Sequence, residues 1–118
     1  MDDDEVVRNL ARTLLARAGH DGTLVADGAE AVTAYRQAQA AGNAYDLVIV
    51  DMTVPGGMGG KETLGELQKI NPAVRVIASS GYSNDPVMAN HQAYGFAAVL
   101  PKPYDQDSFT RAINQVRR

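Results

Sequence analysis

The sequence predicts an α/β domain built on a doubly wound parallel sheet with helices on both faces. Three observations carry that prediction. Apolar residues switch repeatedly between helical spacing and short uninterrupted runs, giving the order α-β-α-β-α-β-α-β-α. The run Leu47-Val48-Ile49-Val50 is apolar at every position, which suits a central parallel strand covered on both faces. A length of 118 residues allows one hydrophobic core and is too short for two.

From Val7, the positions Leu10, Ala11, Leu14, Leu15 and Ala18 follow helical spacing, and Gly19 supplies a stop. Thr23-Leu24-Val25-Ala26 reads as a short strand that ends at the turn signal Asp27-Gly28. The alanine-rich stretch from Ala29 to about Ala41 predicts a second helix closed by Gly42-Asn43. After the strand Leu47–Val50 comes a glycine-rich loop, VPGGMGG. A helix from about Lys61 to Ile70 follows and is broken at Asn71-Pro72. Val74–Ser79 predicts another strand. Asp85-Pro86 places proline where a first helical turn accepts it, opening a helix that runs to Gly95. Ala97–Leu100 is a short strand, and Ser108–Val116 is a last helix with Phe109, Ala112, Ile113 and Val116 facing inward.

Composition excludes several functions. A net charge of -3 gives no basis for binding nucleic acid or an anionic membrane surface. Cysteine is absent, so disulfides and thiolate metal sites are ruled out. His20 and His91 lack zinc-ligand spacing and read as surface residues. No apolar run reaches the roughly 20 residues that span a bilayer, and no signal peptide precedes the first helix, so a cytoplasmic location is expected.

In an open parallel sheet, ligands bind beyond the carboxyl ends of the strands. Asp51 directly follows Leu47–Val50, Ser79 and Ser80 close the next strand, and Lys102 lies just beyond Ala97–Leu100, between two prolines. Asp2, Asp3 and Asp4 stand at the start of the first helix, where a preceding strand would end. Carboxylates, a hydroxyl and an ammonium therefore converge on one edge. Hard oxygen ligands of this kind suit magnesium, which also relieves repulsion among crowded carboxylates. One carboxylate could then attack phosphorus, with the lysine and the hydroxyl pairing the transferred oxygens. Strand alternation sends Ser79 and Ser80 to opposite faces, so only one can serve, and the spacing to Lys102 favours Ser80. A P-loop reading of GGMGGKE fails, because Pro55 stands where the first glycine is needed and Glu62 follows the lysine. The glycines are read as allowing a tight turn beside the site, and Tyr35, Tyr45 and Phe109 as packing residues.

DLVIVDMTVPGGMGG, VIASSG and LPKPY, in this order and spacing, resemble the receiver (CheY-like) domain of two-component response regulators across essentially the whole chain. TVPGGMGGKE with SSGYSNDPVM most resembles receivers attached to hybrid sensor histidine kinases. The resemblance implies a flavodoxin-like fold and makes Asp51 the phosphoacceptor. It makes Asp2 and Asp3 the acidic pair for Mg2+, Asp3 directly and Asp2 largely through water, with the Thr53 carbonyl as a further ligand. Ser80 becomes the hydroxyl residue and Lys102 the phosphate-pairing lysine. Pro103 implies a cis Lys102–Pro103 bond. The partner implied is a sensor histidine kinase or histidine phosphotransfer domain. Such a domain catalyses its own aspartyl phosphorylation and slow dephosphorylation and is no enzyme in the usual sense.

The chain departs from the family at two places. Val99 stands where a switch aromatic is usual, with Tyr82 or Tyr104 as the nearest substitutes, and the first strand of the family is missing before MDDDE. Residues 1–118 are therefore expected to form one receiver domain truncated before Met1. Its open sheet should be compromised as a monomer, or else filled by another segment. Self-association through the last-strand face or by strand exchange is a further expectation. Two rivals remain: a receiver-like interaction module that signals without phosphorylation, and a small aspartyl-phosphate hydrolase, for which 118 residues leave no room for a cap domain.

Overall fold

The computed structural model describes residues 1–81 and 85–117. Among them lie the helices α1 (Glu5–Arg17), α2 (Gly28–Ala40), α3 (Gly60–Ile70), α4 (Pro86–Ala89), α5 (His91–Tyr94) and α6 (Gln106–Arg117). The strands are β1 (Val48–Asp51), β2 (Val76–Ser80) and β3 (Ala98–Pro101). All pair in parallel, in the order β1-β2-β3, with Asp51 beside Ser79 and Ser80 beside Pro101.

Local chemistry fixes the helix ends. Asp4 caps α1 by accepting from the Val6 N–H at 2.9 Å. Asp27 caps α2 by accepting from the Glu30 N–H at 2.9 Å, and the Glu30 carboxylate reaches back to accept from the Ala26 N–H at 3.1 Å. Before α6, Asp105 and Ser108 exchange backbone-to-side-chain bonds of 2.8 and 3.0 Å.

The expected two-faced sheet is present. Ile77 and Leu100 pack with Leu14 of α1 and with Phe109, Ile113 and Val116 of α6. On the opposite face Val50, Val76 and Ala78 pack with Val32 and Tyr35 of α2, Leu64 and Leu67 of α3, and Val87 of α4. Strand alternation accounts for the division, since consecutive residues of β2 belong to opposite layers.

Four expectations need correction. Thr23–Ala26 forms no strand ladder among the described residues; the Asp2 N–H donates to the Val25 carbonyl at 3.0 Å, and the Thr23 and Tyr45 hydroxyls share a hydrogen bond of 2.6 Å. The run Leu47–Val50, expected at the sheet's centre, is the outer strand β1, and the wholly buried β2 is central. The helix expected from Pro86 to Gly95 is two short helices divided at Asn90, whose backbone (φ -142°, ψ 49°) leaves helical geometry. Several strands also begin and end one or two residues later than expected, as Val76–Ser80 does.

Met1 and Asp2 lie in the position of a neighbouring strand's last rungs. The Met1 nitrogen donates to the Ile49 carbonyl at 2.7 Å, and the Asp51 N–H donates to the Met1 carbonyl at 2.9 Å. Beyond Met1 the space between β1 and the 23–26 segment is a cavity of about 620 Å³.

Candidate functional site

The carboxyl edge of the sheet places Asp51 at the end of β1, with 5% of its surface exposed. Asp2 (7% exposed) is held by its neighbours: its Oδ1 accepts from the Asp4 N–H at 2.9 Å, and its carbonyl accepts from Arg8 Nη1 at 2.9 Å. Lys102, one residue past β3, reaches between the two carboxylates. Its Nζ lies 2.6 Å from Asp2 Oδ2 and 3.3 Å from Asp51 Oδ1. The Lys102–Pro103 bond is cis, as expected.

Asp3 is exposed, and one carboxylate oxygen from each of Asp2, Asp3 and Asp51 can be chosen so that all lie within 4.8 Å of one another. Three hard oxygen donors at that separation fit a small divalent cation. Thr53 lies in the exposed loop after β1, and its N–H donates a long bond of 3.4 Å to Asp51 Oδ1. That loop needs its glycines. Gly56 has φ +72°, and a Cβ on Gly60 would stand 3.1 Å from the Asp51 carbonyl, so α3 can begin hard against the site.

Ser79 and Ser80 are both buried at the end of β2. The Ser80 carbonyl accepts from the Lys102 N–H at 2.9 Å, which ties that residue to the lysine's strand. The register, however, sets Ser79 beside Asp51, and the buried Ser79 Oγ has no hydrogen-bond partner among the described residues.

Burial raises the Asp51 pKa above the usual carboxylate range, and the charge of Asp2 adds to the rise; Lys102 and the Thr53 N–H oppose it. Burial pulls on Lys102 in the downward direction, but its bond to Asp2 and the charges of Asp51 and Asp2 outweigh that pull and leave its pKa raised. Tyr104, packed against Phe109 at 5.6 Å between ring centroids, is pushed up to about 12 by burial and by nearby Asp2. The resting site is therefore an ammonium clamped between two carboxylates beside a neutral phenol.

Sequence reasoning missed Arg8, whose contact with Asp2 depends on how the chain enters α1 and leaves no trace in residue spacing. Val99 packs, partly buried, against the α2–α3 side of the sheet, with no aromatic ring in its place. Tyr104 is buried next to the site, and Tyr82 lies outside the described residues.

A family model for the response regulator receiver domain matches residues 1–114. The sensor histidine kinase AruS of Pseudomonas aeruginosa is 29% identical over 119 residues, covering 98% of this chain and 11% of that protein. The chain thus spans about a tenth of that relative's length. The chemotaxis protein CheY of Thermotoga maritima is 25% identical over 119 residues, covering 100% of this chain and 94% of its own. The receiver domain of the sensor histidine kinase PA1611 of Pseudomonas aeruginosa, solved with a magnesium ion coordinated in its active-site cleft, shares the fold. Its TM-score is 0.83 at 22% identity, covering 100% of this chain and 94% of that one. Among the described residues, no helix is long and apolar enough to cross a membrane. A match of this extent, on a fold shared with solved receivers, settles the family: the chain belongs to the receiver domains of two-component response regulators.

Proposed function

We propose that this domain accepts a phosphoryl group on Asp51 from a phosphohistidine of a kinase or phosphotransfer partner, with Mg2+ held by Asp2, Asp3, Asp51 and the Thr53 carbonyl. The observation that carries the reading is the Lys102 ammonium lying 2.6 Å from Asp2 and 3.3 Å from Asp51 at the sheet's carboxyl edge. An Asp51 oxygen forms the new bond to phosphorus. The bond from phosphorus to the donor's imidazole nitrogen breaks, and its electron pair stays on that nitrogen, which then takes a proton from water. Lys102 turns from Asp51 to the oxygens of the transferred group and offsets their charge. The hydroxyl at the end of β2, assigned to Ser80, pairs another of those oxygens. Bound magnesium supplies positive charge that lets a carboxylate approach a phosphoryl group.

Incubation with acetyl phosphate and Mg2+, followed by intact mass measurement, should add one phosphoryl mass to the parent. Nothing should add to Asp51→Asn or in the presence of EDTA. An unchanged parent mass would leave the phosphorylation-independent interaction module as the better reading.

A further inference from the structure

Of the three carboxylates at the sheet's edge, Asp3 is the one whose side chain is not held. Asp2 and Asp51 are buried and ion-paired to Lys102. Asp3 is exposed, and among the described residues its carboxylate has no hydrogen bond or ion pair of its own. Yet one of its oxygens lies within 4.8 Å of those of Asp2 and Asp51. Its aim must come from the backbone.

Both peptide groups flanking Asp3 are held. A peptide group is planar, so fixing its carbonyl oxygen also fixes the direction of the N–H and Cα that follow. The Asp2 carbonyl accepts from Arg8 Nη1 at 2.9 Å, which sets the plane between Asp2 and Asp3. The Asp4 N–H donates to Asp2 Oδ1 at 2.9 Å, which sets the plane between Asp3 and Asp4. The direction of the Asp3 side chain follows from these two planes.

The second clamp is made within the acidic run, and the first comes from outside it. Arg8 is a half-buried residue of α1 whose N–H donates to the Asp4 carbonyl at 3.0 Å. The helix is seated on the core by buried Leu14, with Val7, Ala11 and Leu15 packed against the same cluster. From that base the guanidinium reaches back six residues, past the cap at Asp4, to grip the chain. Its charge alone works against a cation here, since a positive group beside the site repels Mg2+.

We propose that Arg8 is a positioning residue for the cation site: by holding the Asp2 carbonyl it fixes the Asp2–Asp3 peptide plane and aims the Asp3 carboxylate at the space shared with Asp2 and Asp51. The proposal rests on the reading of this edge as a Mg2+ site and adds a residue that touches neither the ion nor the phosphoryl group. Bond and charge act on cation binding with opposite signs. Losing the bond weakens it, and losing the charge strengthens it.

The test compares the parent with Arg8→Met, which keeps an unbranched, helix-forming side chain and removes both donor and charge. Mg2+ is titrated into each protein and followed by the amide chemical shift of Asp51. Arg8→Met should bind Mg2+ about tenfold more weakly, the usual scale for losing a group that orients a metal ligand. Without Mg2+, the residual dipolar coupling of the Asp3 N–H should change in Arg8→Met. That of Ala78, fully buried in β2, should not.

Mg2+ binding as tight as the parent's, or tighter, would overturn the proposal and leave the cation site standing without Arg8. An unchanged Asp3 coupling would overturn it too. So would a change at Ala78 as large as that at Asp3, which marks a general loss of structure. Failure of the parent itself to bind Mg2+ would overturn the cation site, and the proposal with it.

Discussion

From β1 toward β3, each strand has its neighbour and β2 is buried along its whole length; from β1 toward residues 23–26, Met1 and Asp2 bridge the gap at the carboxyl edge, and the Thr23 and Tyr45 hydroxyls share a hydrogen bond of 2.6 Å farther along. The first half gathers large side chains with no measurable exposure, such as Leu67, Val76 and Ile77. The second half faces a cavity, and Leu24 and Leu47 remain half-buried. The site spans this divide. Lys102 comes from the end of β3 and Asp2 from the open side, so their 2.6 Å ion pair joins the two halves. The proposed phosphoryl chemistry would thus draw on Asp2, a carboxylate from the side of the sheet that faces the cavity.

The largest test of this contrast is truncation on each side. Leu67→Ala should cost about 2–5 kcal/mol, because it empties a fully packed position. Leu24→Ala should cost less than about 1 kcal/mol, because its surroundings are already open. Urea unfolding of both variants measures the difference, and equal losses would erase the distinction between the halves.

Cutting the link between the halves comes next. Lys102→Ala leaves Asp2 and Asp51 facing each other without a cation. After allowing for partial solvent screening, it should cost about 1–3 kcal/mol at neutral pH. Mg2+ should raise the melting temperature of this variant more than that of the parent, since it replaces the missing positive charge. A variant that gains no more than the parent would argue against the carboxylates forming a cation site.

A smaller effect sharpens the electrostatics of Asp51. Its folded pKa is raised, so between the ordinary carboxylate pKa and that raised value the folded state holds more protons than the unfolded state. Stability then falls as pH rises through this window, and the loss persists above it. Asp51→Asn cannot ionise there and should be more stable than the parent at pH 7, with the gap closing as pH drops below the ordinary carboxylate range. Thermal melts across pH measure it, and a gap that widens in acid would contradict the assigned direction.

The two serines give the finest test. Ser80→Ala should slow phosphoryl uptake from acetyl phosphate by roughly tenfold, the size of one lost hydrogen bond of about 1.4 kcal/mol. Ser79→Ala should leave uptake unchanged and be neutral or stabilising by up to about 1 kcal/mol, since its hydroxyl is buried without a partner among the described residues. The opposite pattern would transfer the role to Ser79, which the strand register places beside Asp51.

Much of the site was legible in the sequence because strand ends are. Asp51 and Lys102 follow short apolar runs, and a parallel sheet brings such ends to one edge. The acidic run Asp2–Asp4 could be brought to that edge from its place at the start of the first helix, while singling out Asp2 and Asp3 rested on the family resemblance. Thr23–Ala26 has strand composition but no ladder, because a strand is completed by its neighbour and local propensity alone does not supply one. The break at Asn90 was hidden for a similar reason: no proline or glycine marks it, and Pro86 and Gly95 at the ends suggested one continuous helix. The choice between Ser79 and Ser80 turns on register, which alternation within one strand cannot fix.

The central claim is that Asp51 carries the phosphoryl group. After reaction with acetyl phosphate and Mg2+, borohydride reduction converts an aspartyl phosphate to homoserine, and tandem mass spectrometry of the peptides locates it. Homoserine at position 51 is the predicted result; its absence there, or its appearance at Asp2 or Asp3 instead, would contradict the account.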